Sequence, residues 1–456
     1  MKKNHCSAGD SAHAFAARAT LATATALAAL ATTPASANPP FVDVAGASIV
    51  SQAQLTARTV ALTIATPSFA GNTVVEVTLP DGYEAEPARN WPVTYYLAGT
   101  NQNAATFRSV YHGETLTAAY PSIIVSPNGA AGYWSDWFNT GTGGPPKYET
   151  FVSSQLIPLI DANFRTIASR AHRAIMGESM GGYGVMMMAA RHPDLFVAAA
   201  SLSGGVDSNY VPGTLLLTLS PAIMMAAPDS IYGARFNQEV RWRGHNPADL
   251  ASNLRDVRLQ VRTGNGAFNA ANGETLADLV GCVLESALIL PESISLHYTL
   301  DTLGIAHTWQ QYGWGCHSVA LFGQEVSDSL PGFVAAFGTP PPSSFNFRSI
   351  EPAFSIHGWK VAADPARALE FLSLANVSSQ GLTVAGSGAT AITTPALFGA
   401  WQQVSVVIDG EATTVAATPA GQISFTVSLG TANTQQQYRL GSNTAVATAQ
   451  VSFVPL

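Results

Sequence analysis

The segment Gly177-Glu178-Ser179-Met180-Gly181 limits the folds open to this chain more than any other part of its sequence. The apolar run at residues 172–176 predicts a strand before it, and residues 180–191 predict a helix after it. Side chains beside Ser179 would clash in so tight a turn, and glycines at 177 and 181 remove the offending Cβ atoms. The sequence therefore predicts a sharp strand-to-helix corner that presents the Ser179 hydroxyl above a sheet.

Segments typical of strands and helices alternate along most of the chain. An amphipathic helix is predicted at 149–163, and strands at 59–64, 73–79, 91–97, 122–125, 172–176, 196–202, 257–261 and 294–300. Such alternation builds a mainly parallel sheet with helices on both faces. Together with the corner at Ser179, it predicts an α/β-hydrolase fold.

The composition changes near residue 339. Three prolines within residues 339–344 resist both helix and sheet, which predicts a stiff linker. Beyond it, Asp409-Gly410 lies between two strand-like runs and is a strong hairpin signal, and further strands are predicted at 422–429 and 444–454. We therefore expect residues 38–338 to form the hydrolase domain and residues 345–456 a small antiparallel β-sandwich.

The first 37 residues have the three-part pattern of a secretory signal peptide. Lys2 and Lys3 precede an uncharged run at 19–33, and Ala35-Ser36-Ala37 supplies the small residues of a cleavage site. This predicts a secreted or envelope-associated protein, with an Ala-rich helix of the fold as the alternative. Export favours one disulfide between the two cysteines that remain, Cys282 and Cys316, over two buried free thiols.

Charge and composition exclude several classes of partner. The net charge is −8 and only 11% of the residues are charged, so no basic surface for nucleic acid is expected. No His, Cys and Asp residues have the sequence spacing of metal ligands, so neither a metal nor an organic cofactor is expected.

A serine hydroxyl is a weak nucleophile until a neighbouring base takes its proton. In this fold the acid and then the histidine follow the serine along the chain. Both are therefore expected after the predicted strand at 257–261. The backbone N–H of Met180, at the positive end of the predicted helix, is expected to stabilise an oxyanion.

Several motifs together resemble the mycolyltransferase (antigen 85) and esterase D group of α/β-hydrolases across residues 50–338. Besides the corner at Ser179, they include Tyr96-Leu97-Ala98-Gly99, Tyr133-Trp134-Ser135-Asp136-Trp137, Ser201-Leu202-Ser203-Gly204, His245-Asn246-Pro247 and Gly315-Cys316-His317-Ser318. The resemblance implies the fold already predicted and an acyl-enzyme on Ser179. It implies His317 as the base, Glu285 as the acid and the N–H of Thr100 as a second oxyanion donor.

Alternatives to this set remain at both the base and the acid. His307 lies in a segment that also resembles the family's histidine loop, and Glu274 and Asp278 are alternatives to Glu285. Cys282 lies three residues before Glu285, on the same helical face, and Cys316 directly precedes His317. The expected disulfide would therefore tie the acid-bearing helix to the base-bearing loop.

Two departures from the family pattern concern the acyl acceptor. The acyltransferases carry an Asp where this chain has Ala98 and a Trp where it has Val319, which favours water over a sugar acceptor. We therefore predict a secreted serine esterase acting on a small ester or acyl lipid. The alternatives are a cell-envelope acyltransferase and a non-catalytic envelope-binding protein whose C-terminal domain contacts cell wall or polymer. Trp134 and Trp137 either line an acyl pocket or pack in the core.

Overall fold

The computed structural model describes residues 41–139, 146–442 and 444–456. The predicted signal peptide at residues 1–37 lies outside the described residues. Phe41–Leu456 form one compact unit.

A nine-stranded sheet forms the larger part of this unit. Its strands β1 to β9 are Ser48–Gln54, Thr59–Ala65, Thr73–Thr78, Val93–Leu97, Ile123–Pro127, Arg173–Glu178, Ala198–Leu202, Arg258–Thr263 and His307–Gln311. They lie side by side in the order β1-β2-β3-β5-β4-β6-β7-β8-β9. The pairs β1-β2, β2-β3 and β3-β5 are antiparallel. The remaining pairs, from β5 through β4 to β9, are parallel. The predicted α/β-hydrolase fold is confirmed.

Helices cover both faces of this sheet. Helices α1 to α10 are Thr106–Ser109, Gly113–Leu116, Tyr148–Thr150, Ile157–Asn163, Met180–Arg191, Val211–Leu219, Arg235–Arg243, Leu279–Leu284, Leu290–Thr302 and Val319–Ala336. Wider π-helical turns join α3 to α4 and α8 to α9, at Phe151–Leu156 and Glu285–Ile289. Short 3₁₀ turns lie at Arg170–His172, Ser220–Met224, Ala251–Leu254, Ala270–Asn272 and Leu276–Asp278.

The alternation of side chains along a strand explains the two layers of helix. Tyr95 of β4 packs in one hydrophobic core together with Val185 of α5. Its neighbour Tyr96 points the other way and packs with Phe333 of α10 in a second core. Because β4 is buried on both faces, it reads in the sequence as an apolar run.

The strand predicted at 294–300 is wrong, because these residues belong to α9. Apolar residues at every second position imitate a strand, but only Leu296 and Leu300, four apart, are fully buried, while Tyr298 is exposed. The helical run Leu276–Thr302 is long and apolar enough to cross a membrane by length and composition. It nevertheless packs on β8 and buries Glu285, as a core helix does.

The C-terminal residues form two antiparallel sheets that share a hydrophobic core. Strands β10 to β19 are Phe345–Ser349, Ala353–Ile356, Trp359–Ala363, Leu372–Ser378, Gly381–Gly386, Gly388–Thr393, Gln403–Ile408, Glu411–Ala416, Ser424–Leu429 and Ala447–Pro455. The sheet orders are β10-β13-β14-β19-β16-β17 and β11-β12-β15-β18. Asp409 and Gly410 both have positive φ, as the tight hairpin between β16 and β17 requires. The predicted β-sandwich is confirmed.

Polar contacts join the sandwich to the helices of the larger sheet. The Arg191 guanidinium at the end of α5 contacts Glu149 at 2.7 Å and Glu351 at 2.8 Å. The Asn253 side chain donates to the Arg348 carbonyl and accepts from its N–H, both at 2.9 Å. These contacts fasten the beginning of the sandwich to α5 and to the 3₁₀ turn at Ala251–Leu254.

Candidate active site

The strand-to-helix corner is shaped by backbone contacts. Ser179 has φ 57° and ψ −122°, a conformation that residues with a side chain rarely adopt. A Cβ atom added at Gly177 or Gly181 would lie 2.3 or 1.9 Å from the Leu97 carbonyl oxygen. The Ser179 N–H donates to the Leu202 carbonyl at 3.0 Å, which fixes the corner between β4 and β7. The local sterics therefore require glycine on both sides of the serine.

The structure brings Ser179 together with His317 and Glu285. His317 lies on the loop between β9 and α10, and its Nε2 is 2.8 Å from Ser179 Oγ. Its Nδ1 is 2.7 Å from Glu285 Oε2. The alternative His307, the first residue of β9, instead has its Nε2 2.8 Å from Nδ1 of His297.

Glu285 lies in the π-helical turn between α8 and α9 and is fully buried. Its Oε1 accepts hydrogen bonds from Ser203 Oγ at 2.7 Å, Thr263 Oγ1 at 2.8 Å and the Gly264 N–H at 2.8 Å. These three donors fix one oxygen of the carboxyl group, and the other oxygen faces the imidazole.

The alternative carboxylates have structural contacts. Glu274 accepts from the Cys316 N–H at 2.6 Å and from Ser318 Oγ at 3.0 Å, on either side of His317. Asp278 accepts from the Thr275 N–H at 2.7 Å and closes the capping box of a 3₁₀ turn. Within the described residues, neither carboxylate is hydrogen-bonded to the His317 ring.

A covalent link joins the element that carries Glu285 to the loop that carries His317. Cys282 of α8 and Cys316 form a disulfide, as the sequence predicts. Beside it, the His317 N–H donates to the Gly281 carbonyl at 3.0 Å. These two links fix the backbone at His317 against α8, one helical turn before Glu285.

A second buried carboxyl supports the corner from behind. Glu178 Oε1 accepts the Gly99 N–H at 2.7 Å, and Tyr96 donates its phenol to the other oxygen. Burial raises the pKa of Glu178 to about 7 despite these donors. The carboxyl thereby holds the loop that carries Thr100 against the residue next to the serine.

Two more buried carboxyls, those of Glu292 and Glu325, lie close to the site. Burial, with the nearby charge of Glu285, raises the pKa of Glu325 well above its ordinary value. Ser203 Oγ lies 3.0 Å from Glu325 Oε1 and bridges it to Glu285. Burial likewise raises the pKa of Glu292, which lines the cavity over Ser179 and His317. The carboxyl that contacts the imidazole is that of Glu285.

A cavity of about 600 Å³ opens over Ser179 and His317. The backbone positions Thr100 and Met180, both expected to donate to an oxyanion, lie on its wall. Met180 is the first residue of α5, where backbone N–H groups have no partner within the helix. Most of the remaining wall is apolar and comes from Tyr133, Leu216, Leu217, Leu219, Ile223, Leu288, Ile289, Val319 and Phe322.

The hypothesis that Trp134 and Trp137 line this cavity is wrong, and both pack inside the fold. Trp134 is fully buried and its indole N–H donates to the Ala98 carbonyl at 3.1 Å. The indole N–H of Trp137 donates to the Gly132 carbonyl at 3.1 Å. Tyr133 and Trp134 both have positive φ, so the turn directs the tyrosine, rather than the tryptophans, to the cavity.

Sequence reasoning missed two features near the site. The outer cavity wall comes from α6 and the 3₁₀ turn after it, within the uncharged stretch 211–228. Its lack of charge between charged neighbours is a signal that could have marked it as a pocket wall. His297 and Asp301 gather with His307 only because α9 runs back beside β9, a contact that no sequence spacing reveals.

Comparisons with known proteins identify relatives of this chain. The family model described as putative esterase matches residues 66–331. Esterase Rv1288 of Mycobacterium tuberculosis (strain ATCC 25618 / H37Rv) is 35% identical over 204 residues, 44% of this chain and 44% of that relative. The chain thus spans less than half of the length of that relative. Diacylglycerol acyltransferase/mycolyltransferase Ag85B of Mycolicibacterium smegmatis is 27% identical over 225 residues, 48% of this chain and 67% of that protein.

Solved structures share the fold at low sequence identity. Mycobacterium tuberculosis MPT51 (FbpC1) has a TM-score of 0.50 and 20% identity, covering 60% of this chain and 97% of that chain. An S-formylglutathione hydrolase from Agrobacterium tumefaciens has a TM-score of 0.50 and 17% identity, covering 64% and 99%. These likenesses concern the fold of the nine-stranded sheet and its helices.

Proposed function

The chain belongs to the putative esterase family, and we propose that it hydrolyses carboxylic esters through an acyl-enzyme on Ser179. One observation carries the proposal: Ser179, His317 and Glu285 form a line of hydrogen bonds of 2.8 and 2.7 Å at the floor of a largely apolar cavity. A nucleophile, a base and an orienting carboxylate in this geometry are the parts that acyl transfer needs.

In the first step His317 Nε2 takes the proton of Ser179 Oγ while the oxygen attacks the ester carbonyl carbon. The carbonyl oxygen becomes an oxyanion beside the N–H groups of Met180 and Thr100. Glu285 keeps the ring in the tautomer with a proton on Nδ1 and stabilises the imidazolium that forms. The imidazolium then protonates the leaving alcohol, and the C–O bond breaks to leave the acyl group on Ser179.

In the second step a water molecule gives its proton to His317 and attacks the acyl-enzyme. The tetrahedral species collapses, the Ser179 oxygen recovers its proton from His317, and the carboxylic acid leaves. The apolar wall formed by α6 and the π-helical turn supports an apolar acyl group on the substrate. The disulfide near His317 supports export to an oxidising compartment.

The second candidate is an acyltransferase in which a sugar or glycerol hydroxyl replaces that water. The similarity to Ag85B over 225 residues supports it. Two observations favour water: Ala98 is buried and donates no side-chain group to the site, and Val319 at the cavity wall offers no polar atom to an acceptor.

A labelling experiment tests the proposed nucleophile. A fluorophosphonate probe should label the full chain at one serine, and Ser179→Ala should remove both the label and hydrolysis of p-nitrophenyl esters, by about 10⁵-fold or more in kcat. Ser154→Ala, at an exposed serine, is the matched control and should keep both. Adding trehalose or glycerol should leave the free acid as the main product.

The outcomes separate the candidates. An acylated sugar or glycerol as the main product would establish the acyltransferase instead of the hydrolase. A folded wild-type protein that takes no label and cleaves no ester would contradict both and favour a binding protein.

A further inference from the structure

A group of metal-binding side chains lies at the far end of the helix that follows Glu285. His297 and Asp301 come from the last two turns of α9, four residues apart, and His307 is the first residue of β9. One ligand atom from each lies within 4.8 Å of the other two. None of the three takes part in the mechanism proposed above.

The His307 ring is oriented as a ligand would be. Its Nδ1 lies 2.9 Å from the Ile305 carbonyl, which can only accept, so Nδ1 carries the proton. In the tautomer that this hydrogen bond selects, Nε2 presents its lone pair to His297 and Asp301. A hydrogen bond from the other ring nitrogen to a backbone carbonyl is the outer contact that metal-bound histidines usually make.

The second histidine is fixed by stacking. The ring of His297 lies parallel to the Trp309 indole, with 4.6 Å between centroids and 1° between planes. Its Nδ1 faces His307 Nε2 at 2.8 Å. Asp301 Oδ1 lies 4.0 Å from the same His307 nitrogen, and Oδ2 lies 3.6 Å from His297 Nε2.

We propose that His297, Asp301 and His307 bind a Zn²⁺ ion. Tetrahedral zinc with bonds near 2.0–2.1 Å places its ligands about 3.4 Å apart, and the separations of 2.8 and 4.0 Å around His307 Nε2 bracket that value. Two imidazoles with one carboxylate suit zinc, whereas calcium and magnesium prefer oxygen ligands alone. The exposed carboxylate of Asp301 leaves the ion open to water as a fourth ligand.

Zinc binding requires a change of tautomer at His297. In the metal-free site a proton on His297 Nδ1 satisfies the lone pair of His307 Nε2 at 2.8 Å. For both nitrogens to ligate zinc, His297 changes tautomer and carries this proton on Nε2 instead. No redox step and no change in the protein's covalent bonds is involved.

The position of the site assigns it a structural role. α9 continues directly from the turn that carries Glu285, and β9 leads into the loop that carries His317. The disulfide joins α8, which precedes that turn, to the loop after β9 at the end near Ser179. Zinc would tie α9 to β9 at the opposite end, so its effect should appear in stability rather than in the chemical step.

Calorimetric titration of the tag-free full chain with ZnCl₂ tests the proposal. We expect one equivalent of zinc to bind, with a rise in Tm of roughly 3–6 °C once zinc exceeds its Kd about 100-fold. His297→Gln and Asp301→Asn should each weaken binding at least about 10-fold and remove the rise in Tm. The matched control is His112→Asn, at an exposed histidine of positive φ that asparagine tolerates, and it should bind like the wild type.

Two results would overturn the site. The first is a wild-type protein that binds no zinc at about 100 μM, well above the Kd values of structural zinc sites. The second is zinc that binds with unchanged affinity to both variants, since the ion would then lie elsewhere, for example at His317. Asp301 is an exposed side chain, so its variant should fold, and circular dichroism with chelator present verifies this. Because the readouts are binding and Tm, they are independent of the proposed esterase activity.

Discussion

The two halves of the proposed site are held in place by different means. The nucleophile half, residues 177–181, is fixed by backbone sterics against the Leu97 carbonyl. The acid–base half, Glu285 and His317, is fixed by side-chain hydrogen bonds and by the Cys282–Cys316 disulfide. In the nucleophile half the backbone has no room to accommodate an added side-chain atom. In the acid–base half, each hydrogen bond and the disulfide can be removed separately. Adding a side chain at a glycine of the nucleophile half should therefore reduce activity more than removing a structural link, such as the disulfide, in the acid–base half.

Among substitutions that leave Ser179, Glu285 and His317 in place, the largest fall in activity should come from Gly181→Ala. Its new Cβ atom would lie 1.9 Å from the Leu97 carbonyl oxygen, so β4 or the start of α5 must move. We expect a loss of stability of about 3 kcal/mol or more and a fall in kcat/KM of at least about 100-fold. Urea denaturation and p-nitrophenyl ester kinetics measure both quantities.

Gly323→Ala is the matched control for this substitution. Gly323 is also helical, in α10, but nothing lies within 4 Å of the added Cβ atom. Alanine should therefore stabilise the protein by about 0.4–1 kcal/mol and leave kcat/KM unchanged. A Gly181→Ala protein as stable and active as this control would remove the steric basis of the comparison.

The same contrast explains what could be predicted from the sequence. The glycines that the corner at Ser179 requires lie within two residues of the serine, so the motif and its flanking periodicity were enough to predict it, although the Leu97 carbonyl that it packs against is distant in sequence. The sandwich hairpin at Asp409-Gly410 was equally local. By contrast, the partners of Glu285 come from three separate elements, through Ser203, Thr263 and Gly264. No single-sequence pattern contains these contacts.

The wrong predictions have physical reasons of the same kind. Residues 294–300 alternate like a strand, but tertiary packing on β8 selects the helical face containing Leu296 and Leu300. Trp134 follows a strand end, yet positive φ at two successive residues turns its indole into the core. In both cases the deciding contact is distant in sequence, so composition and periodicity could not supply it.

An intermediate effect on activity should follow removal of the disulfide, by the double substitution Cys282→Ala and Cys316→Ala. The bond closes a loop of 34 residues, and its loss should lower the free energy of unfolding by about 3–4 kcal/mol. The Gly281 carbonyl and the buried Glu285 still position His317, so kcat/KM should fall only about 10-fold. A loss of activity as large as that of Gly181→Ala would contradict the difference between the halves.

A reductant provides the control for this variant. TCEP should lower the wild-type stability towards that of the double variant and have no effect on the double variant itself. If TCEP also destabilised the double variant, the measured change would come from something other than this bond.

The smallest effect on activity, but a distinct dependence on pH, should come from Glu178→Gln. The amide oxygen can still accept the Gly99 N–H, so kcat/KM should change less than about threefold.

The stability of the wild type should depend on pH, because burial raises the pKa of Glu178 from 4.5 to about 7. Between these values the folded protein keeps a proton that the unfolded chain has released, so the free energy of unfolding falls as pH rises. This fall should reach about 3 kcal/mol by pH 7 and then level off.

The Glu178→Gln variant lacks this fall in stability, whereas the buried carboxyls of Glu292 and Glu325 titrate alike in both proteins. Urea denaturation at pH 5 and pH 8 should therefore show the variant gaining stability relative to the wild type at the higher pH. Parallel pH curves for the two proteins would mean that Glu178 is already ionised behind the corner, and that its charge, rather than a neutral carboxyl, holds the loop of Thr100.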